Sequence, residues 1–129
     1  MFNFIVNKLV MKHFIIMTIF TALFGSNTTQ SDNVKILSSS DFKTQITNKN
    51  VQLIDVRTPD EFNSGHIKDA KNIDFFSGQF NEEFNKLDKT QAVYIYCRSG
   101  SRSRQSSNKL LAMGFTEIYD LKGGILNYN

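Results

Sequence analysis

Residues 94–103 read YIYCRSGSRS, an apolar run that ends at the only cysteine of the chain, Cys97, and continues with small and cationic residues. Residues 92–96 are short, apolar and rich in β-formers, which is typical of a strand buried on both faces. From Ser103 onward, small and apolar residues recur at helical spacing until Gly114, which predicts a helix that stops at a glycine. The stretch therefore predicts a strand, a tight loop and a helix, with a thiol at the bend.

The loop after Cys97 has the composition of an anion-binding site. The backbone N–H groups of residues 98–102 can turn towards one point at a helix N-terminus, where an anion is most stable. Arg98, Arg102 and Arg104 also lie close together in a stretch without any carboxylate. Such surroundings favour a thiolate and an incoming anion. A lone cysteine is more often a small buried hydrophobe, but this placement favours a reactive one.

Length and composition limit the other classes of protein. A chain of 129 residues is long enough for one domain and a short extension. Of its 15 Lys and Arg residues, Lys8 and Lys12 lie in an N-terminal leader, which leaves 13 against 12 Asp and Glu, a net charge of +1. This charge gives no reason to expect nucleic acid. One cysteine and two histidines are too few for a disulfide or a metal cage, so we expect no metal and no cofactor.

The N-terminus has the layout of a secretory signal peptide. Residues 14–24 are apolar except for two threonines, they follow Lys8 and Lys12, and they precede GSN at residues 25–27. The run is shorter than the ~18 to 20 residues of a membrane span. We therefore predict a signal peptide over residues 1–25 and export to the periplasm or the medium. An uncleaved anchor, which would be the only membrane attachment, and a true start at Met11 are the alternatives.

The rest of the chain alternates strand-like and helix-like segments after a Ser/Thr/Asn-rich linker at residues 26–33. Strands are predicted at residues 34–37, 51–56, 70–73, 92–96 and 116–121. Helices are predicted after Ser38, from the Thr58 capping box, and over residues 77–87. Strands separated by helices predict a mainly parallel sheet with helices on both faces, over residues 34–129. Ligands of such folds bind beyond the carboxyl ends of the strands, where both Cys97 and residues 55–57 are expected.

Four stretches of this domain resemble the signatures of single-domain rhodanese-like sulfurtransferases. They are LIDVRTPDEF at residues 53–62, GHI at 65–67, YCRSGSRS at 96–103 and LKGGI at 121–125, in the family's order. The resemblance implies a rhodanese-like three-layer α/β/α fold with a five-stranded, mainly parallel sheet, and a persulfide carried by Cys97. Many members have a tryptophan shortly after the Gly-Gly stretch, whereas this chain has Tyr128.

The resemblance also implies a mechanism. The Cys97 thiolate attacks the outer sulfur of a small anionic donor such as thiosulfate, sulfite leaves, and the persulfide passes its terminal sulfur to cyanide or a thiol. Loop N–H groups hold the anionic sulfur without reorganising. The residues expected to bind substrate are Arg98, Ser99, Gly100, Ser101 and Arg102, with Asp55, Arg57 and Ser103 in support.

Three arginines are given separate roles. Arg98 is expected to steer the anionic donor. Arg102 either faces the site or turns inward to a buried carboxylate such as Asp55, and we favour the inward role because it fixes the loop. Arg57 and Glu61 are four residues apart around a helix start, so we expect a surface ion pair between them.

Two other classes of function stay as alternatives. Phosphatases and arsenate reductases of the same fold resemble one another in having five residues between cysteine and arginine, whereas four separate Cys97 from Arg102. The shorter loop suits a single sulfur better than a phosphoryl group. A second cysteine that could resolve an oxidised Cys97 is also lacking. The other alternative is a sulfur carrier or binding module with little turnover of its own.

Overall fold

Residues 32–129 are described by the computed structural model of the protein. The predicted signal peptide and the linker as far as residue 31 lie outside this part, so export stays a prediction. Five strands are present, β1 (Val34–Leu37), β2 (Gln52–Asp55), β3 (Lys71–Asn72), β4 (Val93–Tyr96) and β5 (Ile118–Leu121). The helices are α1 (Ser39–Ile46), α2 (Pro59–Asn63), α3 (Phe80–Phe84) and α4 (Ser101–Ala112), followed by a 3₁₀ turn at Ile125–Asn127. None of the helices in this range has the length and apolar character needed to cross a bilayer.

The five strands form one sheet in the order β1-β5-β4-β2-β3, and every neighbouring pair is parallel. All four residues of β4 are buried, because this strand lies in the middle of the sheet with helices on both faces. The predicted parallel sheet is therefore confirmed. The first strand has the predicted bounds. The second and third are one residue shorter than predicted at each end, the fourth starts one residue later and the fifth starts two residues later.

Side chains that alternate along the strands supply two apolar layers. One layer contains Tyr94 and Tyr96 and is covered by α1 through Phe42 and Ile46. The opposite layer is covered by α3 and α4, and it contains Val93, Ile95, Cys97, Ile118, Phe80, Phe84 and Leu110. The predicted arrangement of a sheet between two helical layers is thus confirmed, and it directs the thiol of Cys97 towards α4.

Local sequence signals set most helix ends. The Ser38 hydroxyl accepts a hydrogen bond from the Asp41 amide and caps α1. Thr58 and Glu61 form the predicted capping box of α2. The helix predicted over residues 77–87 is wrong in length, because only Phe80–Phe84 is helical. Its N-cap residue, Gln79, makes no side-chain hydrogen bond to the first turn, and short helices without caps are marginal.

Candidate active site

Cys97 follows the last residue of β4 and lies beneath the loop that leads to α4. Its sulfur accepts a hydrogen bond from the Gly100 amide, with N–Sγ at 3.0 Å, and its thiol donates to the Ser103 hydroxyl at 3.5 Å. Gly100 has φ +112°, a conformation that L side chains rarely adopt, and it directly precedes α4. The turn at Gly100 therefore aims a main-chain donor at the sulfur.

The expected position of the Cys97 sulfur, at the rim of the loop, needs correction. Of the amides of residues 98–102, all within the described range, only that of Gly100 donates to the sulfur. Cys97 is 1% exposed and lies below the loop, not at its rim. The reason is the alternation of β4, which points this side chain to the same face as Val93 and Ile95. The thiol therefore sits between the sheet and the first turn of α4.

The stretch LKGGI at residues 121–125 supports the loop from behind. The Ile125 amide donates to the Cys97 carbonyl at 2.9 Å, and the Leu126 amide donates to the Arg98 carbonyl at 3.2 Å. A Cβ on Gly124 would lie 2.3 Å from the Arg98 carbonyl oxygen, and Gly124 has φ +67°. A glycine is therefore required where the two segments cross. The sequence resemblance included this residue but gave it no role.

The guanidinium of Arg102 pairs with the carboxylate of Glu61. Its Nη1 and Nη2 donate to Oε1 and Oε2 at 2.7 and 2.9 Å, and both side chains are largely shielded from solvent. The guanidinium lowers the pKa of Glu61 to about 2, and hydrogen bonds from Thr58 add to this effect. The prediction that Arg102 pairs with a buried carboxylate such as Asp55 was therefore wrong. A bond to a carboxylate on α2 could not be predicted from sequence spacing, because it depends on how two distant helices approach.

Asp55 already has a partner, which is Arg57. The Arg57 Nε donates to both oxygens of the carboxylate at 3.0 Å, and Nη2 donates to Oδ2 and to the Gly65 carbonyl, each at 2.7 Å. Asp55 is fully buried and Arg57 is 6% exposed. The predicted surface pair between Arg57 and Glu61 was therefore wrong. The buried pair instead ties the end of β2 to the turn after α2.

The remaining predicted residues divide between the outside and the inside of the loop. Arg98, Ser99 and Ser101 are exposed on its outer side. Ser103 is fully buried, and its hydroxyl donates to the Gly100 carbonyl at 3.2 Å while it accepts from the Cys97 thiol. Ser103 thus touches the reactive group directly, whereas Arg98 is placed to meet a solute that approaches the loop.

Asp120 is a residue of this region that the sequence analysis missed. It lies on β5, is 4% exposed, and its Oδ1 has no hydrogen-bond partner. Burial raises the pKa of Asp120 to about 6, against smaller opposing effects of the Ser103 hydroxyl and the Arg104 charge. The available signal was a carboxylate between Tyr119 and Leu121, in the apolar second half of the predicted strand.

A cavity of about 340 Å³ lies behind the loop. Its walls come from the loop, the start of α4 and the end of β5, and they include Gly100, Arg104, Asp120 and Lys122. Cys97 does not line this cavity. The cavity therefore gives solvent a route to Asp120 but not directly to the sulfur.

The known proteins that this chain resembles point to a single family. The rhodanese-like domain family matches residues 38–129. The protein YqhL of Bacillus subtilis is 36% identical over 118 residues, which cover 88% of this chain and 90% of YqhL. A protein of Allochromatium vinosum named sulfurtransferase is 36% identical over 78 residues, 60% of this chain and 71% of that protein.

Other relatives share only part of their length with this chain. The tRNA uridine(34) hydroxylase of Pelagibacter ubique is 39% identical over 84 residues, which cover 64% of this chain but 28% of the hydroxylase. Among solved structures, a rhodanese-like domain protein from Staphylococcus aureus superposes with a TM-score of 0.65 and 29% identity, over 74% of this chain and 91% of that one. From the fold, the cysteine loop and these matches together, the chain belongs to the rhodanese-like domain family.

Proposed function

We propose that the protein is a sulfurtransferase that carries a sulfane sulfur as a persulfide on Cys97. The observation that carries the proposal is the Gly100 amide, which donates to the cysteine sulfur at 3.0 Å from the start of α4. A donor that is already aimed at the sulfur stabilises negative charge there without reorganisation. Arg98, exposed on the same loop, supplies a positive charge for an anionic donor.

The reaction takes place in two displacement steps. The Cys97 thiolate attacks the outer sulfur of thiosulfate, the sulfur–sulfur bond breaks, and sulfite leaves with the bonding electron pair. A thiolate or cyanide then attacks the terminal sulfur of the persulfide. The second step gives a new persulfide or thiocyanate and returns Cys97 to the thiolate form.

The position of Arg102 favours sulfur transfer over phosphoryl transfer. A cysteine phosphatase needs a guanidinium that is available to the phosphoryl oxygens. Both terminal nitrogens of Arg102 are bonded to Glu61. The guanidinium of Arg102 is therefore occupied, while the Gly100 amide is aimed at one sulfur atom.

A second candidate is a sulfur carrier that works with a protein partner. Two exposed apolar side chains lie next to the loop and its helix, Phe76 at 69% exposure and Leu126 at 60%. The ring of Phe76 lies 5.7 Å from the Arg102 guanidinium, and the Leu126 amide bonds to the Arg98 carbonyl. Apolar groups beside a reactive loop favour docking of a partner across it. A carrier would form the persulfide but turn over slowly with small acceptors.

Intact mass after incubation with thiosulfate tests the proposal. The purified protein is expected to gain one sulfur atom, and Cys97→Ser should gain none. Cyanide should then remove the sulfur and yield thiocyanate. Rapid repeated turnover identifies an enzyme, whereas a single loading with slow release identifies a carrier. Sulfur transfer by Cys97→Ser, or a wild type that never gains sulfur from any persulfide or thiosulfonate donor, would contradict both.

A further inference from the structure

Three exposed cations surround the loop that follows Cys97. Arg98 lies on the loop itself, and Arg104 and Lys122 line the 340 Å³ cavity behind it. Within residues 32–129, none of the three forms an ion pair with a carboxylate. Their charges therefore face solvent, where they attract an anionic partner.

Acidic side chains do little to cancel this charge. Residues 98–129 contain two of them, Glu117 and Asp120. Glu117 directly precedes β5, at the opposite edge of the sheet, and Asp120 is 4% exposed. On the α2 side, the carboxylate of Glu61 is paired with Arg102. The exposed charge that this half of the domain brings to the loop is therefore positive.

Exposed apolar side chains lie on both sides of the same loop. Leu126 follows β5, is 60% exposed, and donates its amide to the Arg98 carbonyl. Phe76 follows β3, is 69% exposed, and has its ring 5.7 Å from the Arg102 guanidinium. In the sheet, β4 lies between β5 and β3 and ends at the thiol. A partner that covers the loop therefore meets apolar surface on either side of a positive charge.

The depth of the thiol gives a reason for contacts of this kind. Cys97 is 1% exposed, so an acceptor has to approach the loop closely before it reaches a sulfur carried there. A small neutral thiol has few groups that could hold it in that position. Contacts remote from the reacting sulfur hold a larger acceptor in place and lower the barrier to transfer.

The three cations and the two apolar side chains form one loop face, made of Arg98, Arg104, Lys122, Phe76 and Leu126. We propose that this face docks an acceptor protein that presents its thiol in an acidic segment with apolar neighbours. The inference rests on the proposed function, because the docked thiol receives the sulfur of the persulfide. The acceptor thiolate attacks the terminal sulfur, and the sulfur–sulfur bond to Cys97 breaks. Cys97 leaves as a thiolate with the bonding electron pair, and the acceptor keeps the terminal sulfur as its own persulfide.

Three heptapeptide acceptors test the charge of the partner. The sequences EELCLEE, QQLCLQQ and KKLCLKK share the thiol and its leucine neighbours and differ in charge. The full chain is loaded with sulfur from thiosulfate and freed of the donor, and mass spectrometry follows the sulfur gained by each peptide. Reaction with hydroxyethyl disulfide, a neutral compound, corrects for the intrinsic reactivity of each thiol. We expect EELCLEE to react about tenfold faster than QQLCLQQ at low salt, and high salt to reduce this ratio.

Substitutions of exposed residues locate the effect. Arg104→Gln combined with Lys122→Gln should bring the EELCLEE rate down to that of QQLCLQQ, with the rate for mercaptoethanol unchanged. Arg104→Glu combined with Lys122→Glu should reverse the order, so that KKLCLKK becomes the fastest acceptor. Lys49→Gln is the matched control, because Lys49 is an exposed cation in the turn before β2, at the opposite edge of the sheet. Phe76→Ser should slow all three peptides but not mercaptoethanol.

Three outcomes would overturn the proposal. The first is an equal corrected rate for the three peptides with the wild type. The second is a preference for EELCLEE that survives Arg104→Gln combined with Lys122→Gln. The third concerns nucleic acid, which is also a polyanion. If a short oligothymidylate blocks transfer as well as the serine analogue EELSLEE does, the face binds any polyanion and not an acidic protein segment.

The docking proposal and the proposed function fail in different ways. If the wild type transfers sulfur to mercaptoethanol but treats all three peptides alike, the docking proposal fails and the proposed function stands. If the wild type never gains sulfur from any donor, the proposed function fails. Binding of rhodamine-labelled EELSLEE, followed by fluorescence anisotropy, then tests the loop face without any transfer, and binding that persists in Arg104→Gln combined with Lys122→Gln counts against it.

Discussion

Arg102 and Glu61 meet end to end, with Nη1–Oε1 at 2.7 Å and Nη2–Oε2 at 2.9 Å. The pair joins the first turn of α4, which follows the thiol loop, to the capping box of α2. A two-ended bond between charged groups is stronger and more directional than a single contact. It therefore fixes the start of α4, and with it the loop, against a neighbouring helix.

Arg102→Ala should lower the free energy of unfolding by about 1 to 3 kcal/mol, because it leaves a partly buried carboxylate without its charged partner. Urea unfolding at pH 7 measures this loss. Lys86→Ala is the control, since it breaks an exposed pair with Glu83 and should leave the unfolding midpoint unchanged. Equal midpoints for Arg102→Ala and wild type would show that the pair does not hold the fold.

The contribution of Glu61 should depend on pH in the acid range. Its pKa is lowered from 4.5 to about 2 in the folded protein, chiefly by Arg102. A group with a lowered folded pKa stabilises the protein above its unfolded pKa, and the effect is lost as pH falls through the folded value. The stability gap between wild type and Glu61→Gln should therefore stay constant above about pH 5 and shrink towards pH 2. A gap that does not vary from pH 7 to 2 would contradict this.

The contribution of Asp120 to stability should depend on pH in the opposite direction. Its pKa is raised from 3.8 to about 6 by burial, so its stabilising protonated form is complete below the unfolded pKa and is lost as pH rises through 6. Asp120→Asn should therefore raise the Tm at pH 7.5 and give little gain at pH 3.5. Thermal melts at the two pH values measure this. A lower Tm at pH 7.5 would mean that the carboxylate stabilises the fold.

Gly124→Ala should displace the loop that follows Cys97. The added Cβ would lie 2.3 Å from the Arg98 carbonyl oxygen at a residue with φ +67°, so the loop or the C-terminal turn must shift. We expect loss of persulfide formation and a lower Tm. Gly78→Ala is a matched control, because nothing lies within 4 Å of its Cβ position. Full persulfide loading of Gly124→Ala would show that the loop does not depend on this crossing.

Arg98→Ala should mainly raise the thiosulfate concentration needed for half-maximal rate, with a smaller effect on the maximal rate. In the proposed reaction the exposed arginine attracts the donor at long range, and such attraction weakens with salt. Initial rates at low and high ionic strength measure the effect, and Arg98→Ala should also reduce the salt dependence. Lys35→Ala, an exposed cation on the edge strand, should leave both unchanged. A loss confined to the maximal rate would place Arg98 in the chemical step instead.

Short-range signals in the sequence predicted the framework well. The first strand, the Ser38 cap and the Thr58 capping box depend on neighbouring residues, and the structure confirms all three. The loop and helix around Cys97 follow from a change in hydrophobic spacing, which is also local. The α3 region was less predictable, because helical spacing of Phe80 and Phe84 does not supply caps for a longer helix.

Contacts between distant segments were not predictable in the same way. Glu61 was assigned to Arg57 by spacing, whereas tertiary packing brings it to Arg102 and turns Arg57 back to Asp55. The burial of Asp120 depends on the pairing of β5 with β4, which no local pattern encodes. The depth of the Cys97 sulfur likewise depends on how closely α4 packs on the sheet.

The 3₁₀ turn at Ile125–Asn127 supports the backbone at Cys97 and Arg98. The amides of Ile125 and Leu126 hold the carbonyls of Cys97 and Arg98 from behind. Cleavage or a bulky fusion at that end is therefore expected to displace the loop at Cys97, because only these hydrogen bonds separate the two segments. A handle fused after Asn129 that lowers the reactivity of Cys97 would point to these two hydrogen bonds as the cause.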